Sequence, residues 1–377
     1  MTAPTVVLIP MIAALTATLL LAAAAPQEAE LELTNGTILK VRAVKSESYQ
    51  EVVYTTSSGG ESRKDASEVL EVRRDLSAKM LDDYAAAVEA MNTGDFGKGS
   101  AILDSVLSDD RLMDRARYAW VKQHALFRKA RCQFAMADAA GVSGTVDALL
   151  TEVPETFFYA QALMLKAQIL AISGKDNDAK AVFNQLNSDV GSKDLPERWA
   201  REAELGLALL DKGGDAKTRE RKLAGLAEKN AGRFPTVASR ANVEIGNVMV
   251  ETADYDKAQL FFERIVKGGQ ADSTTMASAY SGLGDCFYFR AVAMEDAPKE
   301  ERREQFQRAA LHHLRVITMY KDAIQLVPRS HYFAAQALRQ MNSTETASQG
   351  NQLASRLRRL YPQSSWWDRL KREWNLR

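Results

Sequence analysis

The sequence predicts a mainly α protein: an α–α solenoid preceded by a small all-β, barrel-like module. Three observations carry this. The 21 glycines and nine prolines together make about 8% of the chain, against a usual share of roughly 12%, a shortage that favours long helices over turn-rich β structure. Small residues recur in the middle of apolar-periodic segments at Ala87, Ala167, Gly206, Gly246 and Gly284, the last four spaced by 39, 40 and 38 residues. Period-two alternation is confined to residues 30–74. A recurrence near 40 residues is the mark of stacked helix pairs, because the same close helix contact must return in every unit.

Composition narrows function before any motif does. Of 377 residues, 46% are hydrophobic and 26% charged, as in an ordinary globular chain, and Lys+Arg balance Asp+Glu at 49 each. Such a chain is not built to coat nucleic acid or an anionic membrane, so no nucleic-acid partner is expected. Residues 1–25 read as a signal peptide: Val6 to Ala25 are uncharged and apolar, and Ala22-Ala23-Ala24 supplies the small residues a peptidase requires. The alternative for so long an apolar run is an uncleaved membrane anchor. The expected location is accordingly periplasmic or secreted. Cys132 and Cys286 are 154 residues apart, several units from each other in a stack where only neighbours touch. Two separate, buried helical thiols are expected.

Residues 26–75 form the β module. LELTNGTILKVRAV places Asn35-Gly36, a two-residue hairpin signal, between Leu31/Leu33 and Ile38/Val41, and EVVYTT, Ser58-Gly59-Gly60, ESRKD and EVLEV follow. Four or five strands in so short a stretch bury little as an open sheet, which predicts a small closed barrel. The segment resembles the SH3-like or Sm-like barrels that precede helical repeats in some exported bacterial proteins. That resemblance implies either a cap over the solenoid's end or a module that binds cell wall or peptide.

Residues 76–377 are read as helical repeats with a C-terminal capping helix. In EIGNVMVETADYDKAQLFFERIV, Ile245 and Gly246 lie on a first helix and Ala253-Asp254-Tyr255 makes the turn. Ala258, Phe262 and Ile265 then form the i, i+4, i+7 face of a second helix. Ala167 with Gly174, Ala179, Phe183 and Leu186 repeats the pattern, as does Ala87 with Gly94, Gly99, Leu103 and Val106. These units resemble the tetratricopeptide repeat (TPR). The Gly284 unit fits at Ala310, Leu314 and Ile317 after an insertion, EDAPKEERREQ, and the Gly206 unit lacks a regular second helix. Proline followed by Ser or Thr marks the junctions, where Thr156, Thr236, Ser330 and Ser364 are placed as N-caps. Such junctions make the chain similar to exported tetratricopeptide proteins of bacterial envelopes.

Chemistry is sparse. HExxH, G-x-S-x-G and Walker-type phosphate loops are absent from the sequence. His312 and His313 are adjacent, so they point about 100° apart on a helix. Both are expected at the surface or half-buried; His124 and His331 complete the imidazole supply. No catalytic residue, metal or cofactor is assigned. The tail from Ser355 to Arg377 is basic, with Trp366, Leu370 and Trp374 in one stripe. It suits a cap over the last repeat, or a helix docking on a partner or an anionic envelope surface. First helices should line the concave face, presenting Asn247, Glu251, Asp285, Tyr288 and Phe289. Mixed polar and aromatic groups suit an extended peptide. The expected function is an exported, non-catalytic protein-interaction scaffold; the alternative is a cell-wall or carbohydrate binder working through the β module.

Overall fold

A computed structural model describes residues 28–34, 36–211, 213–268 and 271–376. The signal-peptide reading of residues 1–25 lies outside them. Six strands come first: β1 (Ala29–Leu33), β2 (Ile38–Val41), β3 (Ala43–Glu47), β4 (Glu51–Thr55), β5 (Glu61–Asp65) and β6 (Val69–Arg74). Gly36, at φ 82°, serves the expected β1–β2 turn.

The closed barrel does not form. The strands make two open, antiparallel, three-stranded sheets, ordered β2-β1-β6 and β3-β4-β5, and among the described residues no ladder joins one to the other. The reason lies in what covers the apolar side chains. Leu31, Val41, Val52, Tyr54, Val69 and Val72 share one core with Phe157, which comes from the helical domain. Closure is one way for a short sheet to bury its inner face; here the two open sheets share one apolar core, which Phe157 completes from outside. The SH3-like resemblance falls with the barrel, and nothing in the described residues carries the envelope reading attached to it.

Nor does the module cap an end of the stack. It sits against the side of the repeats, where the buried Glu47 carboxylate accepts from the Arg74 guanidinium and from His124 Nε2 at 2.7 Å. Trp120 lies under the Arg74 guanidinium at 4.7 Å, and the Tyr49 amide donates to the Glu155 carbonyl.

Sixteen helices are found among the described residues: α1 (Asp82–Asn92), α2 (Phe96–Leu107), α3 (Asp110–Met113), α4 (Ala119–Ala135), α5 (Ala139–Glu152), α6 (Tyr159–Ile172), α7 (Asp176–Ser192), α8 (Arg198–Leu210), α9 (Ala216–Asn230), α10 (Pro235–Glu251), α11 (Tyr255–Gly268), α12 (Ser273–Ala293), α13 (Lys299–Met319), α14 (Val327–Gln340), α15 (Thr344–Leu360) and α16 (Ser365–Glu373). They pair as α1/α2, α4/α5, α6/α7, α8/α9, α10/α11, α12/α13 and α14/α15, and the first helices from α4 to α16 also touch one another in succession. This is a TPR-like α-solenoid with two layers, the first helices forming one and the second helices the other. In six pairs a left-handed residue stands two positions before the second helix: Gly94, Ala137, Gly174, Gly214, Ala253 and Asn342. That conformation ends a helix by turning the chain back across it.

The small residues act as inferred. A Cβ on Gly246 would sit 2.6 Å from the Phe262 ring, and one on Gly284 would sit 2.5 Å from His313 Nε2. Gly206 faces Phe183 in the same way. Several details differ from expectation. In α13 the packing register is shifted by one, to Ala309, His313 and Val316, each fully buried; His313 takes the place that Phe262 and Phe183 hold elsewhere. Of the adjacent pair only His312 is half-buried as expected; His124 and His331 are buried as well. The Gly206 unit has a regular second helix, α9, of 15 residues. Of the four junction residues, Ser364 alone is an N-cap, accepting from the Trp366 amide. Thr236 and Ser330 lie inside α10 and α14, where Pro235 and Pro328 occupy the first helical positions. Thr156 precedes α6 and donates to Gln123 Oε1 at 2.9 Å.

The stack closes on itself. One hydrophobic core joins Leu81, Tyr84 and Phe96 of the first pair to Leu357, Tyr361, Trp367 and Leu370 of the last helices. The rings of Phe96 and Tyr361 are 6.0 Å apart, and Arg131 meets Asp322 at 3.6 Å. The rule that only neighbouring units touch therefore fails here. The two cysteines nevertheless remain free and buried in different cores. Burial pushes both thiols up to about 12, leaving almost no thiolate to react. An aromatic disulfide reagent at pH 8 should leave the native chain unlabelled and label both residues in denaturant. Rapid labelling of the folded protein would show that the helices around them open.

Candidate functional site

Five of the seven residues proposed from sequence line one cavity of about 720 Å³: Asn247, Glu251, Asp285, Phe289 and Trp366. It lies on the layer of first helices, with walls from α10, α12, α14 and α16 and with Ile172, at the end of α6, on its border. Helical periodicity sets each wall. Glu244, Asn247 and Glu251 fall at i, i+3, i+7 along α10, while Ser278, Ser281, Asp285 and Phe289 follow the same face of α12. Arg329 and Phe333 are one turn apart on α14, as Trp366 and Arg369 are on α16.

Charge in the cavity is mostly paired. Arg329 donates to Asp285 Oδ2 at 2.6 Å and to Ser281 Oγ at 2.7 Å, and its guanidinium stacks over Phe333 at 4.6 Å. Glu251 is held by Arg219 at 2.7 Å and Arg369 by Glu373 at 2.9 Å. Two acidic groups are less well served. Asp285 is 4% exposed, and its Oδ1 has no hydrogen-bond partner, the nearest cation-capable atom being His313 Nε2 at 3.5 Å. Glu244 receives one bond, from Asn247 Nδ2 at 3.0 Å, and among the described residues no ion pair. Burial raises both carboxyls above the usual carboxylate range; the Arg329 guanidinium opposes the rise at Asp285, and the Asn247 bond opposes it at Glu244. Tyr255, whose ring stacks on Phe289 at 6.3 Å, gives this end an aromatic floor.

Tyr288 and Trp374 are not brought to the cavity. Tyr288 packs edge-on between Phe306 and Phe333, 5.7 and 5.2 Å away. Trp374 donates its Nε1–H to Gln336 Oε1 at 2.8 Å, beneath the Arg339 guanidinium. Of the tryptophan stripe, Leu370 is thus buried in the closing core and Trp374 is bonded to α14, while Trp366 lines the cavity. Sequence reasoning missed Glu244, Tyr255, Arg329, Phe333 and Arg369. The first could have been found by extending the Asn247–Glu251 face back by one turn.

No protein-family model and no curated protein sequence matches the chain. Among solved structures it is similar to a signal transduction ATPase with numerous domains that carries a tetratricopeptide repeat sensor, from Pyrococcus horikoshii. That match has 10% identity and a TM-score of 0.36, over 81% of this chain and 53% of that one; the chain thus spans about half the length of that protein. It is also similar to a tetratricopeptide repeat protein from Parabacteroides merdae, with 14% identity and a TM-score of 0.32, over 74% of this chain and 98% of that one. Likeness at this level adds nothing to the argument, and the fold assignment rests on the helix pairs themselves. Among the described residues no group of three or more His, Cys, Asp or Glu is placed to hold a metal ion, and the acids of the cavity are held by arginines, a histidine contact or an amide.

Proposed function

We propose that this protein is an interaction scaffold that binds an extended peptide segment of a protein partner along its inner helices. The observation that carries the reading is the cavity itself: polar and aromatic groups from four successive first helices face one open space. Neighbouring packed helices lie about 8–10 Å apart, so the path from α10 to α16 is on the order of 27 Å. An extended strand rises roughly 3.3 Å per residue, which gives a footprint of about eight residues. Preformed walls limit the ordering cost to the peptide.

The full chain should enrich a consensus from a displayed random-peptide library. A synthetic copy of that consensus should then slow amide exchange on the inner faces of α10, α12 and α14. Replacing Asn247 with Arg, which fills the groove from a half-exposed position, should abolish both effects while leaving the unfolding midpoint in place. Protection confined to second helices, or no enrichment at all, would defeat the proposal. Tyr288→Ala is a poor probe of binding, since that ring is part of the core.

A further inference from the structure

We propose that the peptide segment carries a lysine or arginine, whose cationic end seats on the α10–α12 side of the cavity facing Glu244. An adjoining apolar residue then rests on Tyr255 and Phe289. The inference deepens the scaffold reading above and depends on it.

Charge complementarity is the argument. The two arginines at the cavity already have partners: Arg329 is bound by Asp285 and Ser281, and Arg369 by Glu373. Arg240, one turn before Glu244, is held by Glu202 at 2.7 Å. Glu251 is satisfied from outside by Arg219. Hydrogen-bonding capacity remains on the anionic side at Glu244, which accepts one bond, from Asn247, and among the described residues forms no ion pair; Asp285 Oδ1 is sealed against His313 and takes no part. A carboxylate has room for several donors, and a ligand that supplies one to Glu244 gains a charge-assisted bond on binding. A neutral donor would satisfy the geometry, but a cation also answers the charge of Glu244 and makes shorter, stronger bonds. The Tyr255–Phe289 stack on this side of the cavity presents π faces, which attract a cation further. An acidic peptide meets the opposite situation, since it would have to displace Asp285 or Glu373 from arginines they already hold.

The test uses three labelled nonapeptides identical except for a central Lys, Gln or Glu beside a Leu, with binding to the full chain read by fluorescence anisotropy. The lysine peptide should bind about tenfold more tightly than its glutamine counterpart, with the glutamate peptide weakest. Glu244→Gln keeps the shape and the Asn247 contact, so it should collapse the preference with no change in unfolding midpoint. Glu304→Gln, at an exposed acid of α13 outside the cavity, should preserve it. If the three peptides bind equally, the basic-ligand inference fails and the scaffold stands; a preference for glutamate also overturns it. If none of the three binds, the groove reading fails as well.

Discussion

Phe262→Ala should cost about 3–5 kcal/mol, the usual loss when a buried aromatic ring is removed. The ring is fully buried and clamped between two helices, with Gly246 of α10 on one side and Gly282 of α12 on the other. The same geometry predicts a reversal of sign at the glycines. In the natural protein Gly246→Ala forces a Cβ to 2.6 Å from the ring, and overpacking of this kind costs about 1–3 kcal/mol. In the Phe262→Ala background the clash is gone, and alanine is the better helix former by up to about 1 kcal/mol. Urea unfolding of the two single variants and the double variant, set against the parent, measures the coupling. Additive effects would mean that the two residues do not share the contact.

Acid should unfold this protein early, and histidine is the reason. Burial lowers His331 and His312 to about 4 and holds His124 and His313 well below the ordinary 6.5. Nearby arginines act in the same direction: Arg74 and Arg128 on His124, Arg329 on His313, Arg315 on His312 and Arg356 on His331. Glu71 pulls His124, Glu263 pulls His312 and the bond from Val327 pulls His331 the other way. Below pH 6.5 the unfolded chain takes up four protons that the folded chain refuses, so the stabilisation is complete above 6.5 and is lost as the pH falls. At about 1.4 kcal/mol per proton and pH unit, the full slope approaches about 5 kcal/mol per unit. His331 alone accounts for about 3 kcal/mol by pH 4. Glu244 and Asp285, with carboxyls raised by burial, offset part of this by binding protons early in the folded state. Unfolding free energy measured from pH 7.5 to 5 should fall steeply, and His331→Gln should reduce the slope by one proton. A profile flat across that range would contradict the burial of these rings.

How much could be read from the chain differs between layers of the structure. The helix pairs were legible because a close helix crossing tolerates only a small residue, and that requirement repeats visibly at Ala167, Gly206, Gly246 and Gly284. The register of α13 was misread by one place because Ala309 and Ala310 fit the small position equally well. A histidine, moreover, does not look like a core ring until the glycine facing it is seen. The inner face followed from rotation about the helix axis: Asn247 and Glu251 stand one and five residues after Gly246, and Asp285 and Phe289 hold the same places after Gly284. Tyr288 stands four after, about 100° away, which turns it into the core. The open sheets were not legible, since Phe157 covers them from more than eighty residues downstream of β6. Closure of the stack was not legible either, because it accumulates from small rotations over seven pairs.

That closure alters how the molecule gains and loses order. A linear array has two terminal units with one neighbour each, and it can fray from either. Here the first and last units support each other through Phe96 and Tyr361, 265 residues apart in the chain, so every helix pair is flanked on both sides. Opening at any point breaks interfaces in two directions, which binds distant segments into a single cooperative transition. The seam also carries the longest loop the chain must close, a contact that forms only after the intervening pairs have set their curvature. The last step of folding is then the one that abolishes the ends.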